Sequence, residues 1–345
     1  MQRCTILLGF AAAAAVAEEA AERRALVRIE VTDSAVLRAK ELKERRAAIQ
    51  HLQSLRIHQP YTMLLSGVVV SGDGEILTTA LHPRADLRVR VTRHDGSSEE
   101  ATLIGNDPLG NVALIRIAVA TPDFLRLDEA PAEAAARVVL RGHRRIEDRH
   151  ESGTVVETRV PVGMADRYGI NNDRSYCIGS ALLVASPTGG FNPGSACIDM
   201  DGRLRGLVIG CVPRAAPAGG GELTFVLPSS RLARFVREIK LHGRVLRAHF
   251  GLHLVPAGEA VRAHLPELPV CACAVVDVDR EGPAGRAGVR RGDIVVGIDG
   301  KDYRDPCELG ETLTDRPPQV PVTLNLLRAR TPLALVVTPA ERRPK

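Results

Sequence analysis

Three side chains of the kinds used in serine acyl transfer stand in the order His82, Asp107 and Ser195. That chemistry needs a hydroxyl in contact with a base and a carboxylate holding the base's tautomer. It also needs N–H donors facing the developing oxyanion. Ser195 lies in a glycine-bounded turn, Gly190-Phe-Asn-Pro-Gly-Ser-Ala-Cys-Ile-Asp-Met-Asp-Gly202. A serine in a turn more often serves as a local hydrogen-bonding residue than as a nucleophile. Pro83 follows His82, which reads as a surface loop. Cys271-Ala-Cys273 places two thiols two residues apart, on one face if the segment is a strand. That spacing hints at a metal, but two small buried apolar groups are the preferred reading. No metal or nucleotide motif is present, and no cofactor is expected.

The elements that must position these residues are mostly strands. Between Ser66 and Ile117 the chain alternates through β-rich runs broken by Asp73-Gly74 and Asp95-Gly96, the pattern of consecutive antiparallel hairpins. An opening strand is predicted over Ala25–Thr32, with Asp33 or Ser34 capping a basic amphipathic helix over Val36–Ile57. Further strands are predicted over Arg137–Arg141, Gly153–Val160, Ala181–Ala185, Leu204–Val212 and Leu223–Pro228. The charged segment Gly142–His150 reads as a loop between two of them, and Pro161–Tyr176 as a long loop. Ser229 or Ser230 would cap a helix with Leu232, Phe235, Val236 and Ile239 on its apolar side, ended by Gly243.

The order of these parts resembles the trypsin-like barrels of the DegP/HtrA serine proteases. The likeness rests on Gly74, Ile76, Leu77 and Thr78, and on Asp107, Pro108, Ala113, Leu114 and Ile117. It rests also on Asn192-Pro193-Gly194 and Met200-Asp201-Gly202. The resemblance implies a general-base histidine where this chain has Leu81, with His82 one place later. It implies an orienting aspartate where the chain has Asn111. The nucleophile loop is three residues shorter than the family's. Anchored on its left side it puts Ser195 nearest the nucleophile, and anchored on its right side it puts Pro193 there. Two readings follow: a degenerate triad at Leu81, Asn111 and Pro193, or an active endopeptidase with a displaced His82, Asp107 and Ser195.

From about Val245 the chain resembles a PDZ domain. His249-Phe-Gly-Leu252 matches the family's carboxylate-binding loop, whose N–H groups form a nest for a peptide C-terminus. Gly282-Pro-Ala-Gly-Arg-Ala-Gly-Val-Arg-Arg-Gly-Asp293 is the most specific motif in the chain. Asp305-Pro306 opens a helix carrying Leu309 and Leu313. The resemblance implies that Phe250, Gly251, Leu252, Leu309 and Leu313 form a peptide groove; the alternative for the hydrophobic ones is plain core.

The 345 residues fit two domains, and 45% hydrophobic with 25% charged residues is ordinary for a globular chain. A net charge of +5, no Trp and 3% aromatics do not make a nucleic-acid channel. No apolar run is long enough to span a membrane. Arg3, the apolar run from Cys4 and the cleavage pattern Ala15-Val16-Ala17 read as a secretory signal peptide. Export to the periplasm or the outside would leave Cys177, Cys197, Cys211, Cys271, Cys273 and Cys307 in a disulfide-permissive compartment.

The expected architecture is therefore a signal peptide over 1–17 and a trypsin-like double β-barrel over 18–244, with a helical insertion near 34–60. A PDZ domain of α+β type follows over 245–345. The expected partners are peptides or unfolded proteins bound through the PDZ domain. Homo-oligomerisation is left open, since relatives are often trimers but no trimer-contact motif is seen.

Overall fold

The computed structural model describes residues 19–33, 62–81, 87–108, 110–163, 177–213 and 221–342. The expected signal peptide, the basic helix and His82 lie outside these residues. The chain divides into two compact units. One comprises 1–160 and 181–244, and the other comprises 161–180 and 245–345.

The first closed barrel has strand order β1-β2-β3-β6-β5-β4: β1 (Leu26–Asp33), β2 (Thr62–Val69), β3 (Glu75–Thr78), β4 (Leu87–Thr92), β5 (Ser98–Asp107) and β6 (Val112–Arg116). Both Asp-Gly turns sit where the sequence put them, between β2 and β3 and between β4 and β5. Ile29, Leu65, Ile76, Leu77, Leu114 and Ile115 are each at most 2% exposed; Ile76 with Leu77 and Leu114 with Ile115 are strand neighbours on opposite faces, so β3 and β6 are buried on both. Burial of each such side chain stabilises the barrel by about 1.5–3 kcal/mol, and closure removes the open edges that a sheet must otherwise protect.

The second closed barrel runs β10-β11-β12-β9-β8-β7: β7 (Arg137–Arg144), β8 (Glu147–Gly163), β9 (Cys177–Ser186), β10 (Ala196–Asp199), β11 (Leu204–Pro213) and β12 (Glu222–Pro228). Its core gathers Val138, Leu140, Leu182, Val184, Phe191 and Val226. The charged segment Gly142–His150 is not a loop. β7 and β8 continue pairing through Arg141↔His150, Gly142↔Arg149 and His143↔Asp148 to Arg144↔Glu147, and turn through Arg145 at φ 57°. Charge discourages burial of both faces but does not oppose a hairpin whose backbone bonds are all made, so the ladder overrides composition.

Helix α1 (Ser229–His242) follows β12 and ends at Gly243. Its cap differs from the expectation: Pro228 is the N-cap residue, and the Ser229 hydroxyl donates to the Asp128 carbonyl. Leu232, Phe235 and Ile239 are buried. Lys240 and Arg116 both reach the buried Glu75 carboxylate, at 2.7 and 2.8 Å.

The second unit contains a five-stranded antiparallel sheet in the order β14-β15-β16-β17-β18, made of β14 (Leu252–Pro256), β15 (Cys273–Val278), β16 (Ile294–Ile298), β17 (Val322–Arg328) and β18 (Thr331–Val337). β13 (Ala248–His249) pairs separately with β19 (Ala340–Glu341). The helices are α2 (Glu259–His264), α3 (Pro283–Arg286) and α4 (Pro306–Thr314). Asp305 caps α4 by accepting from Glu308 N at 2.7 Å, with Pro306 in the first turn. Cys271 lies in the turn before β15, so the two thiols do not share a strand as expected. Both are buried free cysteines, and burial pushes the Cys273 thiol up to about 12, as inert small core groups require.

Candidate functional site

The turn at 192–195 is pinned on both flanks. Asn192 donates its backbone N–H to the His143 carbonyl at 2.7 Å, and its side-chain amide both accepts from Arg145 N and donates to Arg145 O. The Pro193 carbonyl accepts the Ser66 N–H at 2.9 Å. Gly194 stands at φ +90°, and a Cβ there would lie 1.9 Å from the Ser66 carbonyl. Only glycine meets both conditions.

This geometry sorts the two residues that the sequence left competing. Pro193 is half-buried at the surface of the turn. Ser195 is fully enclosed. Its hydroxyl donates to the Asn192 carbonyl at 2.7 Å, and its oxygen lies 3.0 Å from Ser66 Oγ. A methyl group added at Gly142 would stand 2.2 Å from Ser195 Oγ, so no acyl carbon fits on that side.

Ser66 carries the chain of contacts onward. Its Oγ accepts the His143 backbone N–H at 3.1 Å and lies 3.2 Å from His143 Nδ1. His143 Nε2 lies 3.1 Å from Asp148 Oδ1. Burial pushes the imidazole pKa down; Asp148 partly opposes this and the positive Arg28 adds to it. The composition is serine, histidine and aspartate, but Ser66 is fully buried and its oxygen is already an acceptor. The arrangement holds the 192–195 turn to β2 and β7. Ser66, His143 and Asp148 were not singled out in the sequence. For His143 and Asp148 the signal was the period-two ladder hidden in a segment read as a charged loop.

At the expected base position, Leu81 is 2% exposed. The Asn106 side chain accepts from Leu81 N at 3.0 Å and donates to Leu81 O at 2.8 Å. Asn106 is a second residue that sequence reasoning passed over. Asn111 occupies the β5–β6 turn at φ 53°, a conformation that asparagine tolerates better than most residues. Asp107 closes β5, opposite Val112, and is buried. Among the described residues, nothing brings Asp107 and Ser195 into one hydrogen-bonded group.

In the second unit, β14 is an edge strand, and a cavity of about 260 Å³ runs along it, lined by Phe250, Gly251, Leu252, Leu254, Gly310 and Leu313 among others. The Phe250 and Gly251 carbonyls accept from Ala284 N and Asp279 N. Because trans peptide planes set N–H opposite the preceding C=O, the N–H groups of Gly251 and Leu252 point the other way. Gly251 makes the turn at φ +70°. Leu309 is 0% exposed in the core and does not line the cavity, whereas Leu313 does both. The helical period rotates Leu309 inward and leaves Gly310 at the wall.

Behind the groove, Asp293 of the glycine-rich motif is 1% exposed and holds Arg328 through two bonds at 2.7 and 2.8 Å. Burial pushes its carboxyl up, but the Arg328 guanidinium and the Arg290 N–H outweigh this and hold it below the usual range.

Two closed six-stranded barrels and a PDZ-type sheet define a trypsin-like peptidase scaffold followed by a PDZ-type module. Family models agree: a trypsin-like peptidase domain matches residues 65–207 and a PDZ domain matches 275–326. A probable periplasmic serine endoprotease, DegP-like, of Chlamydia muridarum is 25% identical over 297 residues, covering 84% of this chain and 57% of the relative. Serine protease HTRA1 of Xenopus tropicalis is 26% identical over 305 residues, covering 80% and 60%. Among solved structures, the HtrA-type protease AlgW with a decapeptide superposes with a TM-score of 0.69 at 18% identity, over 96% of this chain and 99% of that one. The chain spans about half the length of the curated relatives it matches. The chain carries a trypsin-like peptidase scaffold followed by a PDZ domain, and it is similar to DegP/HtrA-type serine proteases.

Proposed function

We propose that this chain is an exported, catalytically silent DegP/HtrA-type protein. It captures peptides or unfolded chains by their C-termini through a PDZ domain that begins near Val245. The observation that carries the silent barrel is the 192–195 turn, where a proline takes the surface position and the serine is enclosed with its hydroxyl committed. Replacing a triad aspartate by asparagine alone costs about 10⁴ in turnover in the well-studied case. Here Leu81, Asn111 and Pro193 stand at three positions that would have to act as a unit. The displaced triad of His82, Asp107 and Ser195 has against it the enclosure of Ser195.

Peptide capture rests on β14, the edge strand of its sheet, where a peptide would add by β-augmentation, and on the N–H groups of the 250–252 loop facing away from α3. Export rests on the amino-terminal pattern, and on relatives named as periplasmic. The test is titration of the full chain with a hydrophobic-ended peptide as the free acid and as its C-terminal amide. Binding of the acid and a collapse of affinity for the amide are expected. Equal binding of the two would remove the loop from the mechanism.

A further inference from the structure

The hairpin of β7 and β8 does more than brace the turn. Together with β1, the helical segment at 19–24 and the β4–β5 turn, it encloses a cavity of about 460 Å³ within the first unit. Five arginines line it: Arg23, Arg28, Arg93, Arg141 and Arg149. Among the described residues Glu19 and Asp148 share the wall, and Glu22 and Glu99 reach Arg141 and Arg93, so the five arginines outnumber these four carboxylates by one. The ion pairs that exist are loose. Arg23 meets Asp148 at 3.4 Å, Arg141 meets Glu19 at 3.4 Å and Glu22 at 3.5 Å, and Arg93 meets Glu99 at 3.6 Å. Good charge-assisted bonds are about 2.7–2.9 Å.

A second observation points the same way. The Nε atoms of Arg93 and Arg141 are both buried without a hydrogen-bond partner, and the Arg141 side chain is only 9% exposed. Buried polar groups are nearly always paired, so two orphaned guanidinium donors on one cavity wall mark a place where an acceptor belongs. Arginine forks match planar and tetrahedral oxyanions. The volume lies within the range of small-molecule sites, about 300–1,000 Å³, and exceeds what a free oxyanion needs. Among the described residues Leu26 and Ile146 are the only large apolar side chains in the wall, too few to cover an acyl chain.

We propose that this cavity binds a small, water-soluble phosphorylated compound, whose phosphate oxygens accept from Arg28, Arg93 and Arg141. The site belongs to the barrel unit and is independent of the peptide groove and of whether the barrel is silent. His143 lines the same wall and touches Ser66, so an occupant would be felt at the buried serine pair.

The experiment is calorimetric titration of the full chain with inorganic pyrophosphate at low salt, beside sodium chloride of matched ionic strength and vesicles of an anionic phospholipid. Saturable binding of pyrophosphate alone is expected, weakened by about tenfold or more in Arg28→Gln/Arg93→Gln. Arg28→Gln alone, at a half-buried side chain, serves if the double variant unfolds. Imidazole ¹⁵N resonances of His143 should shift with occupancy. No saturable heat overturns the proposal, as does equal affinity in the variants. Binding to vesicles without pyrophosphate binding overturns the soluble-ligand assignment. An equal loss in Arg291→Gln, at an exposed arginine outside the cavity, would show only diffuse attraction to a basic protein.

Discussion

Ser195 and Ser66 are fully buried, and their hydroxyl oxygens stand 3.0 Å apart although 129 residues separate them in the chain. That bond ties the 192–195 turn of the second barrel to β2 of the first. It makes Ser195 an internal fastening between the two barrels.

Proteolysis should therefore be absent and independent of Ser195. Purified protein is expected neither to label with a fluorophosphonate probe nor to cleave unfolded casein beyond a Ser195→Ala control. The same substitution should instead lower the unfolding free energy by about 1 kcal/mol, the usual worth of one internal hydrogen bond. Cleavage above that control, abolished also by His82→Ala, would restore the displaced triad.

The two leucines of α4 should separate from the residues of the groove wall. Leu309→Ala removes a fully buried side chain and should cost about 2–5 kcal/mol in denaturant unfolding. Leu252→Ala, at a half-buried position on the cavity wall, should cost less than about 1.5 kcal/mol yet weaken binding of free-acid peptides several-fold. Loss of affinity at Leu309 with stability intact would mean that α4 is rotated.

Asp293 gives the second unit an acid-sensitive support. Its pKa is depressed in the folded state, so the stabilisation is fully present above the unfolded value of about 3.9. It is lost as pH falls through the lower folded value. Chemical denaturation should find Asp293→Asn less stable than the parent at neutral pH by about 3 kcal/mol. The gap should narrow steadily below about pH 4. A gap that does not change with pH would place the support in packing rather than charge.

Glu75 anchors α1 to the first barrel through Lys240 and Arg116. Burial pushes its carboxyl up, but the two cations together bring it below the ordinary range. Glu75→Gln should cost about 1–2 kcal/mol, toward the lower end for a broken buried pair because both partner side chains are 49% exposed. Hydrogen exchange should quicken in α1 first. Unchanged protection there would detach the helix from this ion pair.

Local chemistry made most of the architecture readable in the sequence. Asp73-Gly74 and Asp95-Gly96 dictate turns whatever lies around them, alternating strands name their inward face, and Asp305-Pro306 starts a helix by its own capping bond. Leu81, Asn111 and the alternatives Pro193 and Ser195 could be set against the family's triad positions because flanking motifs supply the frame. Other assignments depended on neighbours distant in sequence. The enclosure of Ser195 depends on Ser66 and Gly142, which surround it. Leu309 and Leu313, four residues apart, differ in role because the sheet covers one completely and leaves the other at the groove. Arg93 and Arg141 lie far apart along the chain and meet at one cavity wall only once the β7–β8 hairpin has formed. Burial and orphaned donors are properties of the assembled packing, and only the tertiary structure could assign them.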